Sequence, residues 1–263
     1  MDIALKLEEE QKQAKMKAEK DFEHYLSQSS RVKQDDLEDM NLGTEIDPKM
    51  VRVSGNLDQE FRSQLRVLLA EYKDIFAWHY SDLKGVYPAF CEHKINLKAD
   101  AVPIIQQRYR LNPTYAKQVK EEIDKLLTAR FIYPVDKVTW LSPIVVVPKK
   151  NGKIRVSLDW RKLNAATITD PFSLPYCDTM LDSMAGHEMY SFLDGFSGYN
   201  QIRMAPEDRD KTAFIMEWGV FAYNVMGFGL KNAPPSFQKW VQAIFAPFLT
   251  TFMKVFLDDF QKR

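Results

Sequence analysis

Residues 144–158 read IVVVPKKNGKIRVSL, two β-prone runs on either side of Lys149-Lys150-Asn151-Gly152. Asn-Gly tolerates the positive φ angles that a tight hairpin turn requires, so the two runs should fold back on each other as an antiparallel pair. Strand-like runs continue downstream at 188–194, 212–217 and 220–226, the last two separated by Trp218-Gly219 as a second hairpin. A helix should open at Asn232, where Pro234 and Pro235 are tolerable only in a first turn. Its apolar face would be Phe237, Trp240, Val241, Ile244, Phe245 and Phe248. A final strand spans 253–257. Hairpins among irregularly alternating helices make the class α+β, with no fixed-period repeat.

Upstream, Asn112-Pro113 reads as a cap and first-turn proline, and Val119, Ile123, Leu126 and Leu127 share one face that core packing explains. An earlier amphipathic helix follows the capping signal Asn56/Gln59, with Leu57, Phe61, Leu65, Leu68, Tyr72 and Phe76 spaced by three and four. Residues 31–50 read as an acidic linker, and their Asp35-Asp36 doublet needs no explanation beyond a solvated surface. Residues 1–30 read as a solvated, marginal helix with an apolar seam too sparse for a coiled coil. The expected division is a charged helix and linker over 1–50, a helical connector over 51–100 and the main domain over 101–263.

The 45 % hydrophobic content of the 263 residues suits a real core, and no apolar stretch reaches the ~18 residues of a membrane span. The acidic start MDIALKLEEEQKQ is unlike a secretory leader. Cys91 and Cys177 lie far apart, and the four histidines make no CxxC or HxxxH pattern, which argues against a zinc site or a disulfide scaffold. An intracellular, reducing location is expected, without a choice between cytoplasmic particle and nucleus. The formal net charge is zero but uneven. Residues 1–100 carry 15 basic and 20 acidic side chains, and residues 101–263 carry 21 and 16. A positive C-terminal part is compatible with a polyanionic partner.

Alternate strand residues share a face, so Tyr190, Phe192 and Asp194 point one way, and Phe256 and Asp258 share a face of the last strand. If the two strands are neighbours, Asp194, Asp258 and Asp259 converge at a sheet rim. Their repulsion would then call for protonation or a divalent cation, and hard oxygen ligands favour magnesium. That set suits two-metal phosphoryl transfer. Spacing alone leaves open that the strand-ending aspartates never meet. Likewise Lys149, Lys150, Lys153 and Arg155 could grip phosphates or merely solubilise a hairpin tip.

The stretches WLSPIVVVPKKNGKIRVSLDWRKLN, GHEMYSFLDGFSGYNQIRMAPEDRDKTAF, VMGFGLKNAPPSFQ and VFLDDF, in that order, resemble the reverse transcriptase region of gypsy-type (Metaviridae) LTR retrotransposon polyproteins, most like those of plants. The resemblance covers about residue 41 to the end. It implies a right-hand polymerase, with fingers at about 101–170 and 203–232 and a partial palm at about 171–202 and 233–263. It implies that Asp194, Asp258 and Asp259 are catalytic and bind two Mg2+ ions, with Mn2+ able to substitute. Lys149, Lys150, Lys153 and Arg155 would hold the incoming dNTP, with backbone help from Ser197 and Gly198. Tyr199 would lie under the sugar and reject a ribose 2′-hydroxyl, and Phe228 and Gly229 would line the nucleotide pocket. Gln238 and Phe256 would lie near the template–primer, which is RNA or DNA. The implied activity is RNA-directed DNA synthesis; the alternative is a non-catalytic remnant that binds nucleic acid through basic fingers. Three departures stand out: Phe256 in place of a tyrosine, Gly227 in place of a proline, and an end at Arg263. That end is expected to remove the strand that completes the Asp258-Asp259 hairpin, together with primer grip, thumb and RNase H, and so to leave the isolated chain weak or inactive.

Overall fold

The computed structural model describes residues 36–148, 154–184, 186, 190–249 and 251–262. The chain divides after Phe76 into two compact units. In the first unit, β1 (Leu37–Asn41) and β2 (Met50–Ser54) pair antiparallel, followed by α1 (Gln59–Glu71). The stretch read as an acidic linker therefore carries a strand. The Asn41 side chain closes its loop by accepting from the Gly43 and Lys49 amides at 2.8 and 2.9 Å, and Asp39 faces Arg52 across the ladder. Met40, Leu42 and Val53 are buried, with Leu57, Leu65 and Leu69 packed on them. The helix cap is Asp58, which accepts from the Phe61 amide at 2.7 Å, not Asn56. The helix also ends sooner than expected: past Glu71 the chain tightens into a 3-10 turn over Lys73–Ile75.

The second unit contains β3 (Glu92–His93), α2 (Pro113–Thr128), β4 (Ile132–Pro134), β5 (Ser142–Pro148), β6 (Ile154–Leu158), α3 (Arg161–Ala166), α4 (Cys177–Met184), β7 (Ser191–Asp194), β8 (Arg203–Met204), β9 (Phe214–Met216), β10 (Gly219–Tyr223), α5 (Ala233–Leu249), β11 (Met253–Phe256) and β12 (Asp259–Lys262). The hairpin at 144–158 forms in the expected register, Ile144 opposite Leu158 and Pro148 opposite Ile154. Its tip, with Lys149, Lys150 and Lys153, lies outside the described residues. The hairpin belongs to a five-stranded sheet of order β4-β10-β9-β5-β6, antiparallel except where β5 meets β9. The β9–β10 hairpin at Trp218-Gly219 is present.

Asn112 caps α2 by accepting from the Thr114 amide, and Val119, Ile123 and Leu126 are buried against Phe131, Ile132, Ile144, Phe214 and Phe221. Each such side chain contributes roughly 1.5–3 kcal/mol. A second core, with Trp160, Leu163, Tyr199, Met226, Phe237, Val241 and Val255, underlies α5 and the smaller sheet. No helix among the described residues is long and apolar enough to cross a membrane.

The smaller sheet has the order β11-β12-β7 and is antiparallel throughout. The strand expected to be missing is there. The turn takes only Leu257 and Asp258, so the return strand begins at Asp259 itself. Four residues, Asp259 to Lys262, suffice to pair with β11 on one side and β7 on the other. Leu257 adopts φ 54°, in the left-handed region that tight two-residue hairpin turns use.

Candidate metal centre

Pairing of β7 with β12 sets Asp194 directly opposite Asp259, and the turn places Asp258 next to both. The loop after β7 locks onto this turn. The Gly195 amide donates to the Asp258 carbonyl at 2.7 Å, and the Gly198 amide donates to Gly195 O at 2.9 Å. Gly198 is needed for close approach: a Cβ there would lie 2.8 Å from the Phe237 ring and 3.4 Å from the Asp258 Cβ. Between them, Ser197 takes φ 49°, a left-handed conformation uncommon for a side-chain-bearing residue.

The carboxylates are exposed or half-buried, and none makes an ion pair among the described residues. Burial, and secondarily the charge of Asp258, pushes the Asp194 carboxyl above the usual range. The Asp259 carboxyl is raised by burial and then by both Asp258 and Asp194. The groups therefore feel one another, yet no three His, Cys, Asp or Glu side chains among the described residues form a ready-made metal cage. An open set of hard oxygen donors with unrelieved repulsion fits a magnesium-like ion, which keeps water and substrate oxygens among its ligands.

Tyr199 is buried, with its ring stacked on Phe228 at 4.9 Å and 28° and tilted against Phe237 at 5.3 Å. Burial, with the Asp258 charge in second place, pushes its phenol up to about 12. Phe228 is 56 % exposed, so one face of this stack is open. Gly229 takes φ +88° against Trp160, whose indole N–H donates to Phe228 O at 3.0 Å. Gly227 lacks a positive φ, and a Cβ there would meet only ordinary contacts, so the freedom its glycine offers is unused.

Two of the expected binding residues are engaged within the fold itself. The Gly198 amide is taken by Gly195 O, so it is not available to a phosphate in this arrangement. Gln238 is fully buried. Its Nε2 donates to Val255 O at 3.1 Å and its Oε1 accepts from the Leu257 amide at 2.7 Å. Arg155 stands exposed on β6 opposite Val147, and Phe256 is half-buried at the end of β11 opposite Asp259. Sequence reading missed the roles of Gly195, whose amide holds the Asp258 turn, and of Gln238, whose carboxamide bonds to Val255 and Leu257.

Residues 147–261 match the family described as Reverse transcriptase (RNA-dependent DNA polymerase). The chain is 30 % identical over 212 residues to the retrovirus-related Pol polyprotein from transposon 412 of Drosophila melanogaster, covering 78 % of this chain and 17 % of that one. Among solved structures, the prototype foamy virus protease–reverse transcriptase (CSH mutant) is similar with TM-score 0.64 and 22 % identity, over 79 % of this chain and 27 % of that one. The foamy viral protease–reverse transcriptase in complex with an RNA/DNA hybrid has TM-score 0.62 at 20 % identity, over the same shares of the two chains. The chain thus spans about a sixth of the length of the Drosophila relative. Its 147–261 region is a reverse transcriptase domain, homologous to retrotransposon Pol polyproteins, and the second unit has a partial polymerase fold of fingers and palm.

Proposed function

We propose that this chain is the fingers and partial palm of a plant gypsy-type RNA-directed DNA polymerase, in which Asp194, Asp258 and Asp259 hold two magnesium ions and a primer 3′-hydroxyl attacks the α-phosphate of a dNTP. The observation that carries the reading is the direct cross-strand pairing of Asp194 with Asp259, with Asp258 in the intervening turn. Bound metal would supply Lewis-acid activation of the hydroxyl and charge stabilisation of the leaving pyrophosphate. The protein's own part is to bring Asp194 onto the same sheet end as the adjacent pair Asp258-Asp259, distant from it in sequence, and to brace them there. The half-open Tyr199–Phe228 stack offers a flat apolar floor for a sugar and base, and Arg155, with the hairpin lysines, offers charge for the triphosphate. The foamy viral relative was solved with an RNA/DNA hybrid, and a template–primer of that kind is the partner proposed here.

Primer extension on poly(rA)–oligo(dT) tests this. Magnesium-dependent, poorly processive extension is expected, falling about a thousandfold with Asp258→Asn. Extension that survives that substitution would sink the assignment. Salt-sensitive nucleic-acid binding without any extension, unchanged by Asp194→Asn, would favour a non-catalytic binding remnant instead.

A further inference from the structure

Among the described residues the outer edge of β11 has no neighbouring strand: in the sheet order β11-β12-β7 it stands at the end. At such an edge the backbone groups of alternate residues point away from the sheet. Val255 O and Leu257 N–H are two such groups, and both are bonded to one side chain, the carboxamide of Gln238. A carboxamide has the donor and acceptor of a peptide group, so this side chain supplies, from α5, the pair of hydrogen bonds that a further strand would make. It does so at the residue where regularity is lost, since Leu257 is the left-handed residue that starts the turn. Gln238 is itself fully buried, and its bond to Val255 O is buried with it. The preceding residue, Phe237, presses on Gly198. One helix turn therefore bears on both loops that flank the carboxylates.

Building on the metal-centre reading above, we infer that Gln238 is a positioning residue: its carboxamide acts as a surrogate strand that fixes the Leu257-Asp258 turn and so sets where the Asp258 and Asp259 carboxylates meet a divalent ion. It touches neither substrate nor metal. Outer-shell groups of this type usually affect affinity by about 10–100-fold when removed.

The test uses the full chain and Mn2+ alone, with free ion followed by electron paramagnetic resonance. Gln238→Met keeps the volume and removes both hydrogen bonds. Val241→Ala, in the same helix and equally buried, removes packing but neither of the two hydrogen bonds. Gln238→Met should weaken Mn2+ binding about tenfold, while Val241→Ala lowers the melting temperature and leaves Mn2+ affinity unchanged. Equal affinity in wild type and Gln238→Met overturns the inference while the metal site stands. Wild-type binding that is absent, or unaffected by Asp258→Asn, overturns the metal-site reading and this inference with it. Amide exchange on the wild type gives a second measurement that needs no variant to fold. The Leu257 amide should be protected at least about tenfold despite its place on an unpaired edge, and free exchange there would contradict the surrogate-strand role.

Discussion

Asp159 follows the last residue of β6, and Asp259 opens β12. Asp159 accepts from Arg161 Nε and Nη2 at 2.8 and 2.7 Å and from the Tyr109 hydroxyl at 2.9 Å. The Arg161 guanidinium holds its carboxyl well below the usual range. Asp170 is likewise lowered by Lys239, and Asp208 is paired with Lys211 and with the Ile95 amide. Asp259 instead faces Asp194, adjoins Asp258, and is raised. The fold can neutralise an aspartate with a cation of its own and does so around the fingers and beneath α5. At the end of the small sheet it does not. Repulsion retained in this way leaves room for a cation from outside.

Acid titration distinguishes the two regions, and its largest effect comes from a histidine among the paired groups. His93 is buried, with Nδ1 at 3.0 Å from the Ser236 hydroxyl, and burial pushes it down to about 4 against the opposing pull of Asp208 and Asp170. The unfolded chain takes up that proton near 6.5 and the folded chain does not, so stability should fall between pH 6.5 and 4, by as much as ~3 kcal/mol. Urea melts across this range should show the loss, and His93→Gln should flatten it. Asp159 and Asp170, with depressed values, lose their contribution only lower, as pH drops below the normal carboxylate value of about 4. Asp194 and Asp259 run the other way: raised in the fold, they take up protons more readily there, so acidification relieves them.

Asp159→Asn should cost about 1–2 kcal/mol in the same melts, because the buried Asp159 loses the charge to which the Tyr109 hydroxyl and the exposed Arg161 donate. Gly198→Ala should cost about 1–3 kcal/mol by driving a methyl into Phe237; a neutral result would mean the loop yields more easily than its geometry implies. The smallest effect has the opposite sign. Asp259→Asn should stabilise the metal-free chain by a few tenths of a kcal/mol, roughly the size of a relieved like-charge pair across strands, and millimolar Mg2+ should remove that advantage. Equal destabilisation by Asp159→Asn and Asp259→Asn would erase the contrast.

Local chemistry was readable in advance; edge pairing was not. The 144–158 hairpin, the β9–β10 hairpin, the cap at Asn112 and the first-turn prolines of α5 all follow from residues adjacent in sequence. The convergence of the aspartates depends on β7 meeting β12 across a long connection, and alternation along a strand says nothing about which strand is its neighbour. β12 itself went unseen because the turn before it takes only two residues, which leaves Asp259 to open the strand. β1 was obscured by charges that face Arg52 instead of forming an apolar stripe. Gln238 carries no pattern at all: its role is set by a backbone edge that exists only once the sheet is built.

The middle strand of the small sheet is the last of its three in chain order. Neither β7 nor β11 has a partner within the sheet until β12 arrives, and joining Asp194 to Asp259 closes a loop of about 65 residues, an entropic cost that non-local pairing must overcome. The five-stranded sheet draws only on residues up to Tyr223. During synthesis that sheet can settle first, and Asp194 stays apart from the Asp258-Asp259 pair until the four residues of β12 have emerged. The polymerase chemistry proposed for this chain would thus be withheld from the nascent chain by the order in which its strands are made.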